Sequence, residues 1–234
     1  MNLLLPERWS ARGRAHGERP STSTKRAFRT RAVLTALVCA AALWVARYPI
    51  LHFIGRALVH SDVMTPADII VIGVATDGAG VLEAADLVHD GVAGRVAIFE
   101  DPPDPVDREF LRRGLPYEDE AARSIRQLAS LGVTGVERIP RTVDGTEAEG
   151  QRLPEWSASR RFRVVVVVTT ADHSRRLTRV LRRAMAGLNT RVIVRAARYS
   201  TFREADWWQT REGTRIGIIE SQKLLLDVLR HPFS

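Results

Sequence analysis

The run RVVVVVTTADHSRR, residues 163–176, decides how the rest of the chain is read. Five consecutive valines at 164–168 lead into Thr169 and Thr170. A short β-branched run without polar alternation is the pattern of a strand buried on both faces. Such strands belong to parallel sheets covered by helices. Beyond it the spacing predicts a helix over 174–186, with Leu177, Val180, Leu181 and Ala184 turned inward. In open α/β sheets ligands bind outside the carboxyl ends of the strands. The polar group Thr169, Thr170, Asp172, His173, Ser174 and Arg176 therefore stands where chemistry is expected.

Four more short apolar runs flank this one: DIIVIG at 68–73, RVAIF at 95–99, VERI at 136–139 and RVIVR at 191–195. Helical spacing separates them. It covers 81–89, stopped by Gly91, and 118–131, with Ala121, Ile125, Leu128 and Leu131 on one side and Gly132 as its stop. A third helix over 146–156 is expected to break at Pro154, and a last one over 218–229 closes the chain, with a start near Arg211 also open. Residues 101–105 read as a proline-rich loop. The expectation is an α/β domain over 66–230, a Rossmann-like, doubly wound, mostly parallel five-stranded sheet with helices on both faces.

The net charge of +8 sits at one end. Residues 1–31 hold eight basic side chains against two acidic ones, a surplus of six, which leaves two for everything else. A nucleic-acid-binding fold needs its basic patch on the folded part, so that class is set aside. Residues 1–31, polar around STSTK, read as a disordered basic cytoplasmic tail. Residues 32–46 carry no charge; Arg47 interrupts, and YPILHFIG follows. The uninterrupted stretch is shorter than a usual spanning helix, but Arg47 can snorkel to the interface beside Trp44, Tyr48 and His52. A secretory signal would need a small-residue cleavage site before a polar start, and none is evident. Val38 argues against a lipoprotein site at Cys39, the single cysteine, which also excludes an internal disulfide or a cysteine zinc site. Residues 32–59 are therefore expected to form a single-pass transmembrane anchor and juxtamembrane segment. The positive flank places the N-terminus in the cytoplasm and the C-terminal domain outside the plasma (inner) membrane.

Three stretches carry candidate chemistry. His173, near a helix start, suits a general acid or base. Arg176, Thr169 and Thr170 suit phosphate oxygens, beside free N–H groups at the helix N-terminus. An alternative takes Asp172 as a helix cap and the arginines as a solvated face. GVATDGAG at 73–80 lacks the G-x-G-x-x-G register of a dinucleotide loop, and Asp77 is either a pocket residue or a turn residue. In TVDGTEAEG at 142–150, Thr146 joins the ligand residues, and Asp144, Glu147 and Glu149 either orient His173, hold a metal, or complement a helix dipole. Around Trp207 and Trp208, Arg215 offers charge at the mouth of a pocket, while the tryptophans serve as a ligand wall, as core anchors or against the membrane. No cofactor is identified; a nucleotide-derived one rests on sheet type alone.

These residues resemble the domain-of-unknown-function family that includes SanA, ElyC and YdcF. The likeness runs over 66–230 and centres on T-[ST]-x-x-H-x-x-R, present as Thr169-Thr170-Ala171-Asp172-His173-Ser174-Arg175-Arg176. The opening Ala67-Asp68-Ile69-Ile70-Val71-Ile72-Gly73, the A-x-x-L-x-x-x-G-x-A portion over 84–93, and Trp207-Trp208 through Glu220 and Lys223 are similar to the family's other elements. The chain departs from that pattern at Val74 and Val81, at Phe99-Glu100-Asp101, and around Gly145, Thr146, Glu147 and Glu149. The resemblance implies a cell-envelope role linked to peptidoglycan or polysaccharide assembly, and no defined reaction. The expected ligand is a phosphorylated envelope precursor such as a lipid-linked sugar. The competing expectation is a non-catalytic scaffold or regulator in an envelope protein complex.

Overall fold

The structure, a computed structural model, describes residues 22–74, 76–100, 102–140 and 146–233, without the side chains of 22–30, Asp77 and Ala148. The expectations for the first 21 residues, for Asp144 and for the side chain of Asp77 fall outside what is described.

Five strands form one all-parallel sheet: β1 (Ile69–Ile72), β2 (Val96–Phe99), β3 (Val136–Ile139), β4 (Val164–Thr169) and β5 (Arg191–Ala196), in the order β3-β2-β1-β4-β5. The valine run lies centrally, with Val165 to Val168 in register with Ile69 to Ile72 of β1. Alternate residues of the central strands feed two different cores. Ile70, Ile72, Val166 and Val168 pack under α2 (Asp77–His89) and α4 (Glu120–Ser130) with Val81, Ala85 and Leu128. Ile69, Val71, Val165 and Val167 pack under α5 (Thr146–Ser159) and α6 (Ala171–Ala184) with Leu153, Leu177 and Leu181. Both sides of β4 are thus dry, which is why its sequence shows no alternation.

Two helical expectations are corrected. The stretch read as a proline-rich loop runs into a short helix, α3 (Pro105–Arg112), because Asp104 and Asp107 form a reciprocal capping box and Pro105 takes the first helical position. Pro154 does not break α5, which continues to Ser159. The helix forgoes the one bond the proline cannot donate, while fully buried Leu153 and the Trp156–Phe162 ring pair hold that turn on the sheet.

Helix α1 (Thr22–Leu58) begins inside the segment expected to be disordered tail. Within it Arg31–Leu58 is long and apolar enough to cross a membrane, a test that an anchor and a signal sequence meet alike. Twenty-eight residues span about 42 Å, more than the ~30 Å of hydrocarbon. The chain divides into two compact units, Met1–Arg47 and Tyr48–Ser234. In the second unit, Leu51, Ile54 and Leu58 pack with Phe202, Trp207, Trp208, and Ile216 and Leu224 of α7 (Arg211–Arg230) in a third apolar cluster.

Candidate functional site

The strand order reverses between β1 and β4, and the carboxyl ends of these two strands carry the polar cluster. Gly73 follows β1, and its N–H bonds Val168 O at 2.9 Å. A side chain there would come within 3.0 Å of both that carbonyl and Glu149 Oε1, so the close approach needs glycine. Val74 N donates to Glu149 Oε1 at 2.8 Å, tying the loop after β1 to the first turn of α5.

Thr146, on the same turn, and His173, in the first turn of α6, are both buried and meet at 3.0 Å, Oγ1 to Nε2. On the other side of the ring Nδ1 lies 3.0 Å from Arg176 Nη2 and 3.3 Å from Glu220 Oε2 on α7. Arg176 also donates to Thr146 Oγ1 at 3.0 Å and to both Glu220 oxygens at 3.1 and 3.3 Å. Lys223 reaches Glu220 Oε1 at 2.7 Å. Three helices contribute to one network, and the imidazole has two satisfied neutral forms. With Nδ1 accepting from Arg176, Nε2–H donates to Thr146; with the proton on Nδ1, Glu220 accepts it and the Thr146 hydroxyl donates to Nε2.

Burial pushes the Glu220 carboxyl upward, but hydrogen bonds from His173 and Lys223 and the charges of His173 and Arg176 outweigh it and bring its pKa down to about 2. The group is ionised at neutral pH. Asp172 moves the other way. Burial raises it first and the nearby Glu220 charge adds to this, against hydrogen bonds from its own backbone and from Thr170. A hydroxyl, an imidazole and a carboxylate in line, with a guanidinium beside the hydroxyl, is an arrangement able to move a proton and to hold an anion.

No protein-family model matches the chain, and no curated protein is significantly similar to it.

The residues chosen from sequence divide as follows. Thr146, His173 and Arg176 are brought together. Glu149 is buried one turn from Thr146 and holds the loop at Val74. Glu147 is exposed and lines a small cleft of about 170 Å³ with Arg176, Lys223 and Asp227. Neither is the carboxylate found at Nδ1, which is Glu220. Thr170 occupies the N-cap position without capping through its side chain, and Asp172 lies inside the helix rather than at its cap. Thr169 is fully buried, and its hydroxyl has no hydrogen-bond partner among the described residues. Arg215 is exposed and pairs with Glu212 one turn back on its own helix, so it does not join the cluster. Trp207 is a core anchor whose indole N–H bonds Leu51 O at 3.0 Å, and Trp208 packs edge-on against His52 at 4.8 Å. Among the described residues no group of three or more His, Cys, Asp or Glu is arranged for a metal ion.

Proposed function

We propose that the chain is a membrane-anchored cell-envelope protein of the SanA/ElyC/YdcF-like kind. Its Rossmann-like α/β domain binds or processes a phosphorylated precursor such as a lipid-linked sugar. On this reading α1 is a retained anchor, with the N-terminus in the cytoplasm and the α/β domain outside the membrane. The observation that carries the site is the alignment of Thr146 Oγ1, His173 and Glu220, at 3.0 and 3.3 Å. The His173 imidazole takes a proton at Nε2 from the Thr146 hydroxyl in front of it. Ionised Glu220 at Nδ1 stabilises the resulting imidazolium. Arg176, already 3.0 Å from the same hydroxyl, holds a phosphate oxygen.

The test uses the full chain in lipid nanodiscs with polyprenyl phosphate and a polyprenyl-diphosphate-linked sugar as probes. Thr146→Ala leaves the Arg176–Glu220 pair in place, and His173→Gln keeps a polar side chain. Each should lose about tenfold or more in binding or turnover, roughly 1.4 kcal/mol, with little change in thermal midpoint. Wild-type behaviour in both variants would remove the assignment. A second reading is favoured by one observation: both ring nitrogens and the guanidinium already have partners on α5 and α7. In that reading the cluster is a clasp inside a scaffold protein, and the two variants would lower the midpoint while neither probe binds wild type.

A further inference from the structure

We infer that the cluster around Thr146 and His173 takes a diphosphate ester: one phosphate at Thr146 and Arg176, the other in the charged cleft beside them where α5, α6 and α7 meet. The inference deepens the proposed function and rests on the site assignment made there.

Arg176 belongs to both positions. Its Nη1 donates to Thr146 Oγ1 at 3.0 Å, and the same residue lines the cleft with Glu147, Lys223, Asp227 and Arg230. Glu147 follows Thr146 in the first turn of α5, the end of a helix that favours anions. The hydroxyl and the cleft are thus neighbours across one guanidinium. The cleft holds about 170 Å³, well below the roughly 300–1,000 Å³ of pockets that enclose a whole drug-sized ligand. It suits one compact group of a larger ligand.

Charge says which group. Glu220 and Asp227 are both buried, and each meets two cations. Glu220 is approached by Arg176 at 3.0 Å and Lys223 at 2.7 Å, and Asp227 by Arg179 and Arg183 at 2.6 Å each. Both acids are ionised at neutral pH. Burial pushes Asp227 upward, as it does Glu220, and hydrogen bonds from Arg183 and Arg179 outweigh it. Arg230, in the last turn of α7, is a fifth cation, without a carboxylate partner among the described residues. With exposed Glu147 counted, five cations face three carboxylates. A second cation on a carboxylate already paired is repelled by the first and gains little from a charge it must share. A bound anion turns that surplus into attraction.

The positions of the cations argue for two phosphates. At Thr146 a phosphate meets Arg176, whose charge Glu220 already shares. The other lining cations stand further along α7. Lys223 is about 5 Å and Arg230 about 15 Å beyond Glu220 in helical rise. A single phosphate at the hydroxyl does not serve that wall of the cleft. A second one, joined through a bridging oxygen, extends toward it, and the forked guanidinium of Arg176 can hold oxygens of both. The diphosphate is the chemistry recognised, and a lipid or a nucleoside can carry it.

The experiment titrates the full chain, in phosphatidylcholine nanodiscs and metal-free buffer, with geranyl phosphate and geranyl diphosphate, which differ by one phosphate. The expected result is binding of the diphosphate about tenfold tighter or more. Arg230→Gln should reduce that preference severalfold and leave geranyl phosphate affinity within about twofold. Arg215→Gln removes the same charge from the same helix outside the cluster and should change neither. Uridine monophosphate and uridine diphosphate repeat the comparison for the other source. A preference in the uridine pair alone upholds the diphosphate and assigns it to a nucleotide instead of a lipid. Equal affinity for one and two phosphates in both pairs overturns the inference; the site assignment then stands if Thr146→Ala weakens binding and falls if it does not. A preference untouched by Arg230→Gln and Arg230→Glu overturns the second position. A preference lost equally in Arg215→Gln is a general charge effect and overturns it too. If wild type binds none of the four probes, the site assignment falls together with the inference.

Discussion

Glu220 shows how one side chain ties stability to the site. Its folded pKa, about 2, lies below the ordinary 4.5, so it stabilises the fold above pH 4.5. That contribution is lost as pH falls from about 4.5 to about 2, and the shift corresponds to roughly 3 kcal/mol. Glu220→Gln should therefore cost about that much at pH 7, by leaving half-buried Arg176 without its carboxylate. In denaturant titrations the gap from wild type should close as pH approaches 2; a pH-independent gap would mean the carboxylate is not ionised in the fold. Thr169 predicts the opposite sign. Its enclosed hydroxyl has no partner among the described residues, so Thr169→Val should raise stability by up to about 1 kcal/mol, measurable as a higher thermal midpoint. The sequence placed His173 and Arg176 at a strand end because the valine run announces that end. It marked Glu220 only as part of the family-like close, not as the partner of His173, from which it is 47 positions away and which it reaches through the packing of α7 on α6. The nearer acids Glu147 and Glu149 looked better placed, but helical phase sends Glu149 to the loop at Val74 and leaves Glu147 exposed.

At the scale of elements, the first turn of α6 works in two directions. His173 and Arg176 face α5 and α7, whereas Ser174 and Arg175 hold the end of α1, with His60 N donating to Ser174 Oγ at 2.7 Å. Arg175 caps the carbonyls of Ala57 and Val59, which the helix itself leaves open. Arg175→Ala should speed amide hydrogen exchange over residues 57–62 severalfold while strand amides of β1 and β4 stay protected. Unchanged exchange there would show that the clamp is not needed. The inner strands β1, β2 and β4 could be read beforehand because both their faces are dry and their sequences apolar, whereas the edge strands β3 and β5 carry charged residues and are legible from their place between helical stretches. The opposite condition hid α3: a helix that buries nothing leaves no inward periodicity, and its proline resembles a loop signal. Pro154 misled for a related reason, because local propensity was outweighed by the packing of Leu153 and Trp156.

For the whole molecule, the junction between the apolar N-terminal helix and the α/β domain is where the structure adds most. Reading the first strand as the start put the domain at 66, yet the compact unit begins at Tyr48. Hydropathy alone gives no reason to assign Leu51, Ile54 and Leu58 to the fold, because apolar residues look the same in lipid and in a core. What assigns them is Trp207, buried against that helix and bonded to Leu51 O, with Gly217 leaving room for its ring and Gly213 for its carbonyl. Two truncated chains test this directly. Residues 48–234 retain the third cluster and should unfold cooperatively, with the near-ultraviolet signal of ordered tryptophans. Residues 62–234 retain every strand and the Asp62 contacts with β5 but lose Leu51, Ile54 and Leu58 from around Trp207 and Phe202. Burial of large aliphatic side chains contributes about 1.5–3 kcal/mol each, against a total of roughly 5–15 kcal/mol for a whole domain. The shorter chain should therefore lose most of its stability and the sharp aromatic signal, although its sheet is complete. Equal thermal midpoints for the two chains would show that residues 48–61 are attached to the domain without being part of it.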